Sequence, residues 1–328
     1  MKKCCFIIPY FGKLPKYFEI FAKTCSTNKN YEWLIFTDDN KKYITPSNVK
    51  IINMSFEELV KMIQKKFNFE IWLKKPYKLC DYKPSYGYVF EDYIREFKFW
   101  GHCDLDTIMG NLEKLITEEM LENYDKIFCL GHMVLYKNNF ENNRLFMKKY
   151  NGEELYKKVF SSEEICFFDE THRGKNNVNS IFEENNKKVF TTDMSLNIMT
   201  FPTKFQKITF VREKYGYEIE TLKKAIYIWN NGELYRIFFE NGKKVHEEFV
   251  YAHLQKRNMK FSKKILNVEY FQIAPNYFLK LKDVDVNSNN FNKIRKNRIS
   301  FHYLEFHINN KIKKVLNFFK KIKKGENK

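Results

Sequence analysis

Apolar and polar positions alternate along this chain in two rhythms. Residues 4–9 form a continuous apolar run closed by Pro9, which predicts a strand buried on both faces of a parallel sheet. Residues 16–26 then place Phe18, Phe21, Ala22 and Cys25 at helical spacing. Residues 33–38 form a second buried run ending in polar residues, and residues 49–53 a short third one. Ser55 followed by Glu58 marks a helix start, because a serine caps the third backbone N–H while the glutamate reaches back to the cap. This succession predicts a doubly wound α/β domain, whose ligands sit beyond the carboxyl ends of the strands.

Further on, residues 91–95 read as helical and 99–103 as an apolar strand. Residues 125–130 and 134–136 read as strands, and 161–165 as the start of a short helix. Between 226 and 251, aromatic runs alternate around Gly232 and Gly242, the pattern of a β-meander. The pattern weakens from about Lys260, and 283–292 is a polar linker rich in Asn, Asp and Ser.

Three strand ends carry turn or polar residues: Pro9-Tyr10-Phe11-Gly12, Thr37-Asp38-Asp39 and Asp104-Leu105-Asp106. Together they predict an active-site rim. In a strand, residues i and i+2 share a face, so Asp104 and Asp106 can share a hard cation such as Mg²⁺ or Mn²⁺. Asp-x-Asp also occurs in ordinary surface turns, so its context carries the weight. The loop over 74–88, with two prolines and four tyrosines, offers Lys74, Lys75, Lys78 and Lys83 as phosphate contacts or as a solvated basic surface.

At 328 residues the chain buries a full core without needing disulfides. Its seven cysteines are odd in number, form no CxxC pair and sit largely in apolar runs, which predicts reduced thiols in the cytoplasm. The N-terminal apolar run is too short for a secretory signal, and none approaches the ~18 residues that span a bilayer. The expectation is a soluble or peripheral protein.

The net charge of +18 invites a nucleic-acid reading. A Lys-, Asn-, Ile- and Phe-rich composition explains it equally well, and with no recognisable motif no nucleic-acid partner is expected. The local excess changes the picture more: 311–328 hold eight lysines and one glutamate. Leu304, Ile308, Ile312, Val315, Phe319 and Ile322 fall near one helical face, with lysines on the other. That predicts a basic amphipathic helix, lying on the inner face of the plasma membrane or packed on the domain.

An ordered set of motifs completes the reading: Lys78-Leu79-Cys80-Asp81-Tyr82-Lys83-Pro84, Tyr86-Gly87, Phe90-Glu91-Asp92-Tyr93, Phe99-Trp100-Gly101-His102-Cys103-Asp104-Leu105-Asp106, Gly110-Asn111-Leu112 and Tyr251-Ala252-His253-Leu254-Gln255-Lys256-Arg257. With these the chain resembles a bacterial family of glycosyltransferases encoded in capsule and other surface-polysaccharide clusters. The resemblance covers roughly residues 1–260. It implies an α/β GT-A-type, Rossmann-like fold with a mixed, mainly parallel sheet, and a basic helical tail over 261–328. Within the domain, about 1–110 would bind the nucleotide-sugar, a UDP-sugar by default, and about 111–260 a glycan or lipid-linked acceptor. Carried over, Asp106 becomes a direct Mn²⁺ or Mg²⁺ ligand, Asp104 bridges metal and donor, and His253 completes the metal site. Lys256 and Arg257 would bind the diphosphate, Thr37 and Asp38 the nucleoside, and Pro9 and Tyr10 would line the base pocket. Lys78 and Lys83 fall in the matched motifs as donor-side contacts.

Both stereochemical outcomes stay open: a retaining transfer needs no strong base and would leave Asp169 to position substrate, whereas an inverting one needs a base beside the acceptor hydroxyl. Asp169 and Glu170, after the apolar run 166–168, are the best placed, with His172 third; the same cluster would equally serve as a turn capping a strand. His132 is either a sugar contact or structural, and His102 is read as packing. Two other functions stay open. One is a nucleotidyl- or phospho-sugar transferase, which would want a glycine-rich basic N-terminal loop where only Gly12, Lys13 and Lys16 stand. The other is a non-catalytic basic protein binding membrane or nucleic acid, for which Asp104 and Asp106 would be dispensable.

Overall fold

The computed structural model describes residues 2–171, 174–197, 205–211, 216–221, 223–255, 259–274, 276–281, 285–296, 299 and 301–323. Its centre is a seven-stranded sheet of β1 (Lys2–Pro9), β2 (Tyr31–Thr37), β3 (Val49–Asn53), β4 (Phe97–Cys103), β6 (Lys126–Ile127), β7 (Met133–Lys137) and β8 (Val189–Phe190). The order is β3-β2-β1-β4-β7-β6-β8. Neighbours run parallel except at β7, which is antiparallel to both β4 and β6. The protein is therefore mixed α/β with a mainly parallel sheet, and its 3-2-1-4 run is that of a Rossmann-like half.

The sequence dictates this through period-two burial on both faces. Tyr31, Trp33 and Ile35 of β2 pack with Phe6 against Phe18 and Phe21 of α1 (Phe18–Cys25). Leu34 and Phe36 face the other way, with Ile7, onto Leu59 and Ile63 of α2 (Phe56–Gln64). Ser55 and Glu58 form the expected reciprocal cap of α2.

Three local expectations change. Residues 91–95 yield only a single 3-10 turn, Glu91–Tyr93, the last of several one-turn pieces that begin at Pro76 and are interrupted by Pro84. The strand expected over 125–130 stops at Ile127, because Phe128 takes a left-handed backbone (φ 72°). No helix starts at 161; the helix lies earlier, at Leu155–Phe160, and Phe167 (φ 55°) turns the following loop.

A second, five-stranded antiparallel sheet has the order β14-β13-β12-β16-β17. It comprises β12 (Ile226–Asn230), β13 (Glu233–Glu240), β14 (Lys243–Glu248), β16 (Tyr270–Ile273) and β17 (Phe278–Lys280). Asn231-Gly232 and Asn241-Gly242 close its hairpins with positive φ at both positions, as tight two-residue turns require. Since β16 pairs with β12, the expected division near residue 260 falls inside this sheet. The expected strand over 246–251 also splits, and its end joins a small sheet of β5 (Thr107–Met109), β9 (Ser195–Leu196) and β15 (Tyr251–His253), with β15 in the middle. β10 (Ile208–Val211) and β11 (Gly216–Ile219) form a separate hairpin.

The small sheet ties the two larger ones together. Trp229 Nε1 donates to the Met109 carbonyl (2.9 Å), and Gly110 N to the Val250 carbonyl (2.8 Å). Among the described residues, no helix is long and apolar enough to cross a membrane.

At Gly110 a Cβ would lie 2.2 Å from the Phe249 carbonyl oxygen, in backbone that has no room to move without breaking the β5–β15 junction. Gly110→Ala is expected to cost about 1–3 kcal/mol, as overpacking does, read as a lower urea midpoint at unchanged slope.

Candidate functional site

The turn between β4 and β5 is Asp104-Leu105-Asp106. Leu105 is buried in the core, so its two neighbours are turned the other way. Thr107 Oγ1 donates to the Asp104 carbonyl (2.8 Å), and Asp104 N to the His132 carbonyl (3.0 Å), which fixes the turn from both sides. β15 pairs antiparallel with β5, setting His253 opposite Thr107, and Leu254 N donates to the Asp106 carbonyl (2.7 Å). Strand pairing thus delivers His253 to the two carboxylates. Asp104, Asp106 and His253 each offer a ligand atom, all within 4.8 Å of one another.

These residues fit a divalent cation. Two carboxylates and one imidazole are an oxygen-rich donor set of the kind Mn²⁺ and Mg²⁺ accept. His253 Nδ1 is buried and has no hydrogen-bond partner, while Nε2 lies 3.5 Å from Asp106 Oδ1. Burial works against a charged His253, but Asp106 outweighs it and raises the pKa above the ordinary value. A bound cation would take that proton's place.

His132 walls the cluster. Its ring stacks on His253 with centroids 4.3 Å apart. Its Nδ1 meets the Tyr251 hydroxyl at 2.6 Å, and its Nε2 meets the Asn197 amide nitrogen at 2.9 Å. Burial, then the neighbouring His253, push His132 well below the usual range, so it stays neutral. Behind Tyr251, Ser195 donates to Asp193 through both its hydroxyl and its N–H, and burial raises Asp193 to about 7.

Lys83 joins the Asp104, Asp106 and His253 cluster to Asp169. Its ammonium donates to Asp104 Oδ1 (2.9 Å) and the Gly131 carbonyl (2.6 Å), and lies 3.4 Å from Asp169 Oδ2. Asp169 is buried, and desolvation raises it to about 7 despite the opposing lysine. Glu170 Oε2 accepts the Gly131 N–H (3.0 Å). A Cβ on Gly131 would lie 2.5 Å from Asp169 Oδ2, so the carboxylates can close over this residue only because it is glycine.

Lys78 stands elsewhere. It is almost fully buried, paired with Asp81 at 2.9 Å, and therefore is not presented to a ligand. Asp81 accepts the N–H groups of Cys166 (2.9 Å) and Phe168 (3.0 Å), so the pair holds the loop that carries Asp169. Thr37 is also fully buried, its hydroxyl accepting the Asp39 N–H (3.2 Å). Asp38 is exposed and accepts the Gly12 N–H (2.7 Å), tying the ends of β1 and β2 together. Pro9 closes β1. Tyr10 is half-buried after it, and burial first, then the charge of Asp106, raise its pKa. His102 is fully buried beside Tyr86 and Tyr136, as packing demands, with burial keeping it neutral. Lys256, Arg257 and His172 lie outside the described residues.

The contact of Tyr251 with His132, and the parts of Asn197 and Asp193, are not visible in the sequence motifs. The i, i+2 relation of Tyr251 and His253 signals the first; nothing local marks the other two. The family described as being of unknown function (DUF6625) matches residues 6–282, and the chain belongs to it. No curated protein matches the chain.

Asp106→Ala and His253→Ala are each expected to abolish saturable Mn²⁺ binding in titration calorimetry while leaving the far-ultraviolet spectrum unchanged. In the parent protein, Mn²⁺ affinity should fall as pH drops through the titration of His253, since the protonated imidazole carries no free lone pair for a cation.

Proposed function

We propose that this protein is a metal-dependent glycosyltransferase of the GT-A type. It would move a sugar from a nucleotide-sugar, first a UDP-sugar, to a glycan or lipid-linked glycan of a bacterial surface polysaccharide. One observation carries the reading: Asp104, Asp106 and His253 gather beyond the carboxyl end of β4, and Lys83 connects them to the buried Asp169. The 3-2-1-4 strand order with one antiparallel strand supports it, because open α/β sheets bind nucleotides at this edge.

The roles follow from the chemistry. Asp104, Asp106 and His253 would hold Mn²⁺ or Mg²⁺, which supplies positive charge to the diphosphate. Lys256 and Arg257 are the residues we assign to its remaining oxygens. The acceptor oxygen attacks the anomeric carbon, the bond from that carbon to the diphosphate oxygen breaks, and the acceptor proton passes to Asp169. A base with a pKa near 7 suits this task, whereas Glu170 is already occupied by the Gly131 N–H. Asp169 as base makes the transfer inverting.

Thermal melting against UDP, GDP, CDP and CMP, with and without Mn²⁺, tests the site. A ligand at 100 times its Kd adds about 2.7 kcal/mol. One nucleoside diphosphate should shift the transition only with Mn²⁺, and the shift should vanish in Asp106→Ala; no shift with any nucleotide overturns the reading. Release of pyrophosphate or a nucleoside monophosphate instead of the diphosphate would point to a nucleotidyl- or phospho-sugar transferase.

With Mn²⁺ saturating, kcat/KM should fall about tenfold per pH unit below about 7, where Asp169 is protonated. Asp169→Asn should lower the rate by about 10²–10⁴-fold and remove that limb.

A further inference from the structure

The helix Phe301–Lys323 lies outside the span shared with the family and takes no part in the site. At 1.5 Å per residue it is about 35 Å long. Phe301, Leu304, Ile308, Ile312, Val315 and Leu316 fall within about 120° of arc at 100° per residue. They are between 50% and 86% exposed, so this stripe is not packed on the domain. Exposed Glu305 falls inside this arc near the start of the helix, where it pairs with Lys260 (3.8 Å); beyond it the stripe is apolar without a break to Leu316, and an exposed face of that kind needs a partner.

The charges say which partner. Lys313 and Lys314 lie across the helix from the stripe and Lys311 at its border, all exposed. Residues 311–328 carry eight lysines against one glutamate. A second copy meeting this face would bring the same positive charge against it, which opposes pairing. A surface that is apolar below and negative above satisfies both faces at once: the side chains enter the acyl boundary while the lysines meet headgroups. The helix is too polar to cross a bilayer. We propose that Phe301–Lys323 lies flat on an anionic lipid membrane and holds the protein there. This proposal is independent of the catalytic reading.

The test is co-sedimentation of the full chain with large vesicles of phosphatidylcholine alone or with 30% phosphatidylglycerol. Binding should be at least tenfold tighter to the anionic vesicles and should weaken as salt rises. Ile308→Asp with Ile312→Asp should lose it through the apolar face. Lys311→Gln, Lys313→Gln and Lys314→Gln together should lose it through charge. Both variants should keep the parent melting temperature and Mn²⁺ response, which separates failure of this proposal from failure of the metal site. Equal binding to both vesicle types, or full binding by the two variants, overturns it. So does a dimer in sedimentation velocity that Ile308→Asp with Ile312→Asp dissolves, or a preference for RNA over anionic vesicles.

Discussion

The Lys83 ammonium is the interaction on which the site depends. It sits where three acceptors from distant parts of the chain converge: the Asp104 carboxylate, the Gly131 carbonyl and the Asp169 carboxylate. Burial disfavours its charge, but Asp104 and Asp169 more than compensate and hold its pKa well above the ordinary value. Take away that cation and two carboxylates face each other across a water-poor space, a costly arrangement. Even with it the balance is negative among the described residues. Asp104, Asp106, Asp169 and Glu170 are opposed by Lys83 and His253, an imbalance that a divalent ion would meet.

The backbone records the same convergence. Phe128, Phe167 and Gln255 all adopt positive φ, which is rare for phenylalanine and costs of order 1–3 kcal/mol at each such residue. Each stands within a few residues of a site member: Gly131, Asp169 and His253. The first two are held from outside. The buried Lys126, pushed down to about 8 by desolvation, donates to the Phe128 carbonyl. Asp81 grips the N–H groups on both sides of Phe167. Lys78, read as a phosphate contact because it is basic and lies in a proline-rich loop, works here as the clamp on Asp81.

What sequence could and could not reveal follows from the range of the forces involved. β1, α1, β2, β3 and α2 announce themselves through local periodicity and a capping box, and the two Asn-Gly turns through backbone chemistry. Asp104, Asp106 and His253 were legible as residues, and the structure brings them together. The hidden parts depend on distant partners. Lys83 has no neighbour in sequence that reveals its bridge, and Asn197 reaches His132 only after β9 has paired with β15. β16 and β17 are likewise hidden, being short strands with no strong alternation of their own that pair onto β12 and onto each other.

The pairing of β5 with β15 has a consequence for biosynthesis. About 150 residues separate Asp106 from His253, roughly 8–30 s of ribosomal elongation at usual rates. Throughout that interval the nascent chain displays both carboxylates while β5 lacks the strand that completes its edge. His253, the third member of the cluster, can arrive only after the antiparallel sheet has been translated through β14. If the cluster takes an ion, its acquisition would be deferred until nearly the whole core exists, so metallation would report completed assembly instead of accompanying it.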